Sequence, residues 1–220
     1  MLENNLILTQ IVFLNSLKIK MIIGIDFDNT IIKYDDVFGR VALKKNIIVN
    51  NNLKTKKEVK SYLIETGRED DWTELQGIVY GHHIMEAQPY EGFLSALQDL
   101  IVAGHSLKII SHKTKYPFIG KKVNLRKAAI EWLKVNNIVG EENKKISEKD
   151  VFFCSTIEEK IDTLENQKCE VFVDDLVKVL ELIKPKVHRI LFAPDSRESE
   201  SKTFNILSDW LSIHTLLSCQ

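Results

Sequence analysis

The chain has 220 residues, of which 44% are hydrophobic and 28% charged, a composition typical of a globular protein with a large core. Its formal net charge is −1, so charge gives no support for nucleic acid or a membrane surface as a partner. The three cysteines, Cys154, Cys169 and Cys219, show neither disulfide nor zinc-site spacing. Free thiols are typical of a reducing compartment, and we therefore predict a cytoplasmic location.

Residues 1–20 are predicted to be an appendage that precedes the folded core. Leu6 to Leu17 is apolar, but no basic residue precedes it and no small-residue cleavage site follows, so secretion is the weaker interpretation. The segment is also shorter than a membrane-spanning helix requires. Met21 stands directly before a buried-strand pattern, where a compact domain could begin. We expect either an upstream start or a short surface helix.

The first predicted element of the core is a strand that ends at Ile25 and is followed directly by Asp26, Asp28 and Thr30. Beyond Thr30 the apolar positions recur at helical spacing, which predicts helices over residues 35–46, 55–66 and 71–86. Pro89 ends this region. A further helix is predicted from Tyr90 to Ala103, before Gly104.

After Gly104, predicted strands and helices alternate to the end of the chain. The strands are Leu107–Ile110, Val151–Cys154, Glu170–Val173 and Arg189–Phe192, and the helices are Leu125–Val135, Ile157–Glu165, Leu176–Ile183 and Phe204–Leu217. Ser155 and Glu158 are predicted to form a capping box at the start of one of these helices. This alternation is typical of an α/β fold, a doubly wound parallel sheet with helices on both faces. We predict a core of residues 21–32 and 90–220, interrupted by a helical insertion at 33–89.

Polar groups follow the first four predicted strands of the core, on the side where open α/β sheets bind ligands. They are Asp26 and Asp28 after the first strand, Ser111 after the second, Lys160 early in the helix after the third, and Asp174 and Asp175 after the fourth. Acids this close together repel one another, so a cation or a proton must neutralise them. Their joint occurrence favours one polar site over unrelated surface roles.

These residue types suit phosphoryl transfer through a covalent intermediate. A carboxylate can attack phosphorus, and a magnesium ion bound by carboxylates offsets the repulsion between that carboxylate and the phosphate. A hydroxyl and a lysine can bind the remaining phosphate oxygens. A second carboxylate two residues further on can exchange protons with the leaving group and with water.

The motifs resemble those of the haloacid dehalogenase superfamily of phosphohydrolases, over roughly residues 21–193. That signature is D-x-D-x-T/V, a Ser or Thr, a Lys and an acidic pair, and the helical insertion occupies the place of that superfamily's helical cap. The resemblance implies that Asp26 is the nucleophile and Asp28 the acid/base, with Mg2+ as cofactor. It further implies phosphate-binding and metal-binding sets: Ser111, Lys160 and Thr30 for phosphate; Asp26, the carbonyl of Asp28, Asp174 and Asp175 for Mg2+.

Asp28 favours phosphate ester cleavage, because dehalogenases of that superfamily lack an acid at this position. We therefore expect a magnesium-dependent phosphatase acting on a small phosphorylated metabolite. A phosphomutase with the same residues and a non-catalytic phospho-ligand-binding module remain alternatives. The sequence leaves the metabolite and the oligomeric state open.

His112 and Lys113 could add positive charge near the phosphate, and Arg68, Trp72, Gln76 and Tyr80 of the insertion could contact the leaving group.

Overall fold

The computed structural model describes residues 20–141, 145–194 and 203–218, so all but the last residue of the predicted appendage lies outside the described residues. Six parallel strands form one sheet in the spatial order β5-β4-β1-β6-β7-β8. The strands are β1 (Ile22–Ile25), β4 (Ser106–His112), β5 (Val151–Cys154), β6 (Val171–Asp174), β7 (His188–Phe192) and β8 (Asn205–Leu207). The predicted doubly wound parallel sheet is confirmed. Among the described residues, no helix is long and apolar enough to cross a membrane.

Helices cover both faces of this sheet. They are α4 (Phe93–Val102), α5 (Leu125–Val135), α6 (Ile157–Asn166), α7 (Val177–Leu182) and α8 (Ile213–Ser218). On one face Ile23 and Ile25 pack in the same apolar cluster as Leu97 of α4 and Trp132 of α5. On the other face Phe172 packs with Leu164 of α6 and Leu180 of α7. Alternate residues of the strands are therefore buried on opposite faces, which explains their nearly continuous apolar runs.

The chain between β1 and β4 contains three helices that we call the helical insertion: α1 (Asp35–Lys44), α2 (Lys56–Glu65) and α3 (Glu69–His82). Phe38 of α1 stacks on Trp72 of α3 with ring centroids 5.2 Å apart. The chain enters and leaves the insertion through a two-stranded antiparallel ribbon, β2 (Ile32–Lys33) and β3 (Gln88–Pro89). A short 3-10 helix, Ile84–Glu86, lies between α3 and β3.

Two local predictions were wrong. The predicted helix Phe204–Leu217 is instead the strand β8, the 3-10 turn Trp210–Ser212 and the short helix α8. Its apolar residues are buried in an edge strand and a turn. Over such a short segment, the spacing of apolar residues does not distinguish a helix from a strand followed by a turn. The cap of α6 lies one residue later than predicted, because the Thr156 side chain accepts a hydrogen bond from the Glu159 backbone N–H at 3.1 Å. The Glu159 carboxylate in turn accepts one from the Ser155 N–H at 2.5 Å.

Trp210 connects this C-terminal segment to the loop after β1. Its ring is buried against Phe93 and Phe192, with centroids 4.9 and 5.4 Å away. The indole N–H donates a hydrogen bond of 3.0 Å to the backbone carbonyl of Thr30. The 3-10 turn therefore supports the loop that follows the first strand.

Trp210→Phe should lower the free energy of unfolding by about 1–3 kcal/mol, since it leaves the buried Thr30 carbonyl without its donor. Urea unfolding measures this loss. Val102→Ala, at a position that is 77% exposed, is the control and should change stability by less than about 0.5 kcal/mol. Equal effects of the two substitutions would show that the Trp210 hydrogen bond does not support the loop.

Candidate active site

Asp26 lies at the carboxyl end of the central strand, where the sheet continues for one more residue. Its backbone N–H donates to the carbonyl of Val173 in β6 at 2.9 Å, and Asp26 is 5% exposed. The chain then turns at Asn29, whose φ is 60°. Asparagine tolerates this left-handed conformation better than most residues. The end of β1 and the turn after it place Asp26 and Asp28 beyond the carboxyl ends of the strands.

The ammonium of Lys160 bridges two buried carboxylates. Its Nζ lies 2.5 Å from Asp26 Oδ1 and 2.6 Å from Asp174 Oδ2, and all three side chains are nearly inaccessible to water. The second oxygen of Asp174 accepts a hydrogen bond from the Leu176 N–H at 2.8 Å. Thus α6, β1 and β6 each contribute one charged group to a single contact.

Burial and mutual repulsion of the acids change their proton affinity. Burial, partly offset by Lys160 and reinforced by Asp174 and Asp175, raises the pKa of Asp26 to about 8. Burial and the neighbouring Asp174 raise the pKa of Asp175 to about 6. Burial alone would lower the pKa of Lys160, but Asp26 and Asp174 raise it above its ordinary value. The site therefore carries more negative charge than one ammonium neutralises.

Asp28 is oriented by two donors rather than by the Lys160 contact. The Tyr34 hydroxyl donates to Oδ1 at 2.7 Å, and Lys113 Nζ lies 3.1 Å from Oδ1 and 2.8 Å from Oδ2. Lys113 is 3% exposed, and its ammonium lies 4.6 Å from the centroid of the Tyr80 ring in α3. Asp28 therefore faces the side of the site where the helical insertion lies.

Asn29 links the acidic end of β6 to the helical insertion. Its amide donates to Asp175 Oδ2 at 3.2 Å, and its carbonyl oxygen accepts from Lys56 Nζ at 3.1 Å. Lys56 is the first residue of α2. The turn after β1 is thus connected to one charged group from the core and one from the insertion.

These side chains surround a cavity of about 350 Å³ between the sheet edge and the insertion. The core lines it with Asp26, Asp28, Asn29, Ser111, Lys113, Lys160 and Asp175, and the insertion with Lys56, Lys60, Trp72, Gln76 and Tyr80. Ser111 is 1% exposed within β4, next to β1 in the sheet. A cavity that combines three acids, a hydroxyl and several ammonium groups can bind a phosphoryl group and place a carboxylate oxygen against it.

Thr30 and Asp174 do not line this cavity. Thr30 is fully buried behind the wall, and its hydroxyl has no hydrogen-bond partner among the described residues. The structure therefore separates Thr30 from Ser111 and Lys160, the other predicted phosphate ligands. Asp174 stands behind Lys160, which it contacts directly. The structure brings together the remaining predicted residues.

The sequence missed Tyr34, Asn29 and Lys56 as site residues. Asn29 had a detectable signal, since asparagine after an acidic strand end is typical of a left-handed turn. Nothing local distinguishes Lys56 from the other lysines of α2, because its position depends on how the insertion packs on the core. Of the predicted insertion contacts, Trp72, Gln76 and Tyr80 line the cavity, whereas Arg68 instead pairs with Asp71 at 2.6 Å.

The donor set is chemically suited to a magnesium ion, although no group of three or more His, Cys, Asp or Glu side chains in the described ranges is already arranged as a metal site. Carboxylate and carbonyl oxygens are the ligands that this ion prefers. Asp26, Asp28 and Asp175 line one cavity, and a divalent cation stabilises carboxylates that lie this close together. These residues therefore fit the metal.

No protein-family model matches the chain, and neither does the sequence of any curated protein. Solved structures match it over most of their length, at low sequence identity. The HAD-hydrolase YfnB of Bacillus subtilis, bound to magnesium, is 13% identical; the match covers 90% of this chain and 98% of that one, with a TM-score of 0.58.

Two further structures match to a similar extent. A protein described as a predicted phosphoglycolate phosphatase of Haemophilus somnus is 14% identical, with 90% and 97% coverage and a TM-score of 0.56. A protein described as a β-phosphoglucomutase of Thermotoga maritima is 15% identical, with 90% and 98% coverage and a TM-score of 0.53. The chain therefore has the fold of the haloacid dehalogenase superfamily of hydrolases.

Proposed function

We propose that the protein is a magnesium-dependent phosphatase that hydrolyses a small phosphomonoester through a phosphorylated Asp26. The observation that carries this proposal is the convergence of Asp26, Asp28, Ser111 and Lys160 on one cavity. A carboxylate nucleophile, two phosphate-binding groups and a proton-transfer group are the parts that this reaction needs. The likeness in fold to phosphatases and hydrolases supports it.

In the first step an Asp26 oxygen forms a bond to phosphorus while the ester bond breaks. The leaving alkoxide takes a proton from Asp28, and the phosphoryl group remains on Asp26. In the second step Asp28 accepts a proton from water as that water attacks phosphorus, which frees phosphate and restores Asp26. Ser111 and Lys160 bind the phosphoryl oxygens, and the Lys160 ammonium stabilises the charge that develops on them.

Magnesium would be held by Asp26, the backbone carbonyl of Asp28 and Asp175, and by Asp174 once the Lys160 ammonium released its Oδ2. When bound, it draws the phosphate and the Asp26 carboxylate together by neutralising both. Lys160 already contacts one oxygen each of Asp26 and Asp174. The ammonium and the metal would therefore share the carboxylates of the site.

The helical insertion would act as a cap, residues 33–89, over a core of residues 21–32 and 90–220. Its Trp72, Gln76 and Tyr80 line the same cavity as Asp26. Closure of such a cap would exclude water while the phospho-aspartate forms. The two-stranded ribbon of β2 and β3, through which the insertion joins the core, is the natural hinge.

A phosphomutase would use the same residues, and one of the similar structures carries that name. It would transfer the phosphoryl group back to a second position of the sugar phosphate instead of to water. Isomer exchange that exceeds hydrolysis would favour this alternative.

For the leading proposal, the purified protein should release phosphate from a panel of phosphomonoesters with magnesium and not with a chelator. No turnover of any member would contradict it.

Asp26→Asn should abolish turnover, because an amide cannot form an acyl phosphate. Phosphate release should fall by at least about a thousandfold, while binding of the substrate should partly persist. Asp162→Asn, an exposed position on α6 away from the cavity, is the matched control. Wild-type rates in Asp26→Asn would refute the assignment of the nucleophile.

Asp28→Asn should slow turnover in a way that depends on the leaving group, because it removes proton transfer but retains the backbone carbonyl. Alkyl phosphates should lose about 100-fold or more, and activated aryl phosphates much less. The comparison is kcat for 4-nitrophenyl phosphate against glycerol phosphate. Equal losses on both substrates would assign Asp28 a structural role.

Magnesium should stabilise the protein more at about pH 8.5 than at about pH 6, because protons and the metal compete for Asp26 and Asp175. Both acids have pKa values raised on folding, to about 8 and about 6. The metal-free native state therefore binds more protons than the unfolded state, and its stability falls as the pH rises from about 4 to about 8. Thermal unfolding with magnesium and with chelator at each pH measures the gain. The same gain at both pH values would contradict the competition.

A further inference from the structure

The cavity contains more lysines than its acids can pair with. Its lining includes five lysines, Lys56, Lys60, Lys113, Lys160 and Lys178. Lys160 is paired with Asp26 and Asp174, and Lys113 with Asp28. Within the described parts of the chain, Lys56, Lys60 and Lys178 have no carboxylate within ion-pair distance, and Asp175 is the one lining acid left near them.

Lys56 is held in place by a hydrogen bond and by three aromatic rings. Its ammonium lies 3.1 Å from Asn29 Oδ1 and within 5.5–5.9 Å of the ring centroids of Tyr34, Phe38 and Tyr80. An ammonium has three N–H groups, and Asn29 and the Tyr80 side chain accept hydrogen bonds from two of them, which leaves one for a ligand. Burial alone would lower the pKa of Lys56, but Tyr80 and the nearby acids raise it, so the group is charged.

Lys60 and Lys178 lie on the two sides of the cavity mouth. Lys60 is one turn after Lys56 on α2, and Lys178 is at the start of α7 in the core. Both are exposed, so their side chains reach the cavity from solvent. Lys56 and Lys60, four residues apart, share one face of α2. The three lysines thus form a cationic rim that the insertion and the core both contribute to.

The net charge of the whole site indicates which kind of ligand the cationic rim binds; this inference rests on the proposed function. When all of them are ionised, as they would be around a bound metal, the five lysines exceed the four acids by one positive charge, with Asp174 counted among the acids. Magnesium would bring the excess to three, and a phosphoryl dianion would reduce it to one. The excess that remains lies on the rim, on the side of the leaving group rather than of the phosphate.

We propose that the substrate carries a second anionic group on its leaving group, a carboxylate or a second phosphate, and that Lys56 binds it together with Lys60 and Lys178. Lys56 is the specificity-determining residue. It presents a charged donor fixed by Asn29 and by the aromatic rings around it. A nucleoside monophosphate or a simple sugar monophosphate has no such group and leaves the rim unpaired.

The test compares substrates that differ only in this charge. 3-Phosphoglycerate is matched with glycerol 3-phosphate, and 4-carboxyphenyl phosphate with its carboxamide. Wild-type kcat/KM should favour the carboxylate of each pair by roughly tenfold or more, as expected for a charge-assisted hydrogen bond. The same kcat/KM ratio, measured for bisphosphates against the corresponding monophosphates, shows whether the rim prefers a second phosphate to a carboxylate. A ratio near one in all pairs, or a preference for nucleoside monophosphates, would overturn the proposal.

In Lys56→Met, the kcat/KM ratio of the charged to the uncharged substrate should fall close to one for the pair that the wild type discriminates most. In Lys57→Met, this ratio should stay as in the wild type. Lys57 is the matched control because it is exposed on the same helix and does not line the cavity. Thermal unfolding confirms that both variants fold. An unchanged preference in Lys56→Met would refute the role of Lys56.

A binding measurement separates this inference from the proposed phosphatase activity. Calorimetry with 3-phosphonopropionate and its carboxamide, with magnesium and with chelator, needs no turnover. Tighter binding of the carboxylate form, lost in Lys56→Met, would support the rim even if no phosphomonoester were hydrolysed. Equal binding of the two forms would refute it even if the enzyme proved to be a phosphatase.

Discussion

The ammonium of Lys160, held between Asp26 and Asp174, is the contact on which the site depends. Three ionisable groups are buried together, and burial of such groups is tolerated only where partners compensate for it. Removing one member of such a group typically costs about 3–5 kcal/mol. The contact connects β1, β6 and α6, so that the fold sets the distance between the proposed nucleophile and its neighbours. The Thr156 cap starts α6 and places Lys160 within its first two turns.

The helical insertion is connected to the site through the turn after β1 and through Asp28, and not through the Lys160 contact itself. Asn29 bonds to Asp175 and to Lys56, while Tyr34, next to the start of α1, bonds to Asp28. A movement of the insertion would therefore change the surroundings of Asp28 and the turn without disturbing the Lys160 contact. In the proposed reaction, the sheet would thus provide the phosphate end of the site and the insertion the leaving-group end.

Local sequence patterns predicted the sheet and the residues at its strand ends, because parallel strands bring their carboxyl ends to one edge whatever the loops do. Asp26, Ser111, Lys160 and Asp175 lie together for that reason. Lys113, directly after β4, was a candidate for the same reason, whereas Lys56 depends on packing between distant segments, which no local pattern encodes. The segment from Phe204 to Leu217 shows the same limit, since burial on the sheet edge outweighed its helical spacing. Thr30 matched the motif yet lies behind the cavity wall.

The central claim is that Asp26 carries the phosphoryl group during turnover. Rapid quenching of the protein with substrate and magnesium, followed by borohydride reduction and peptide mass spectrometry, tests it directly. An acyl phosphate is reduced to an alcohol, so residue 26 should be recovered as homoserine in a fraction that depends on substrate. Conversion at another carboxylate, or no conversion during active turnover, would contradict the account.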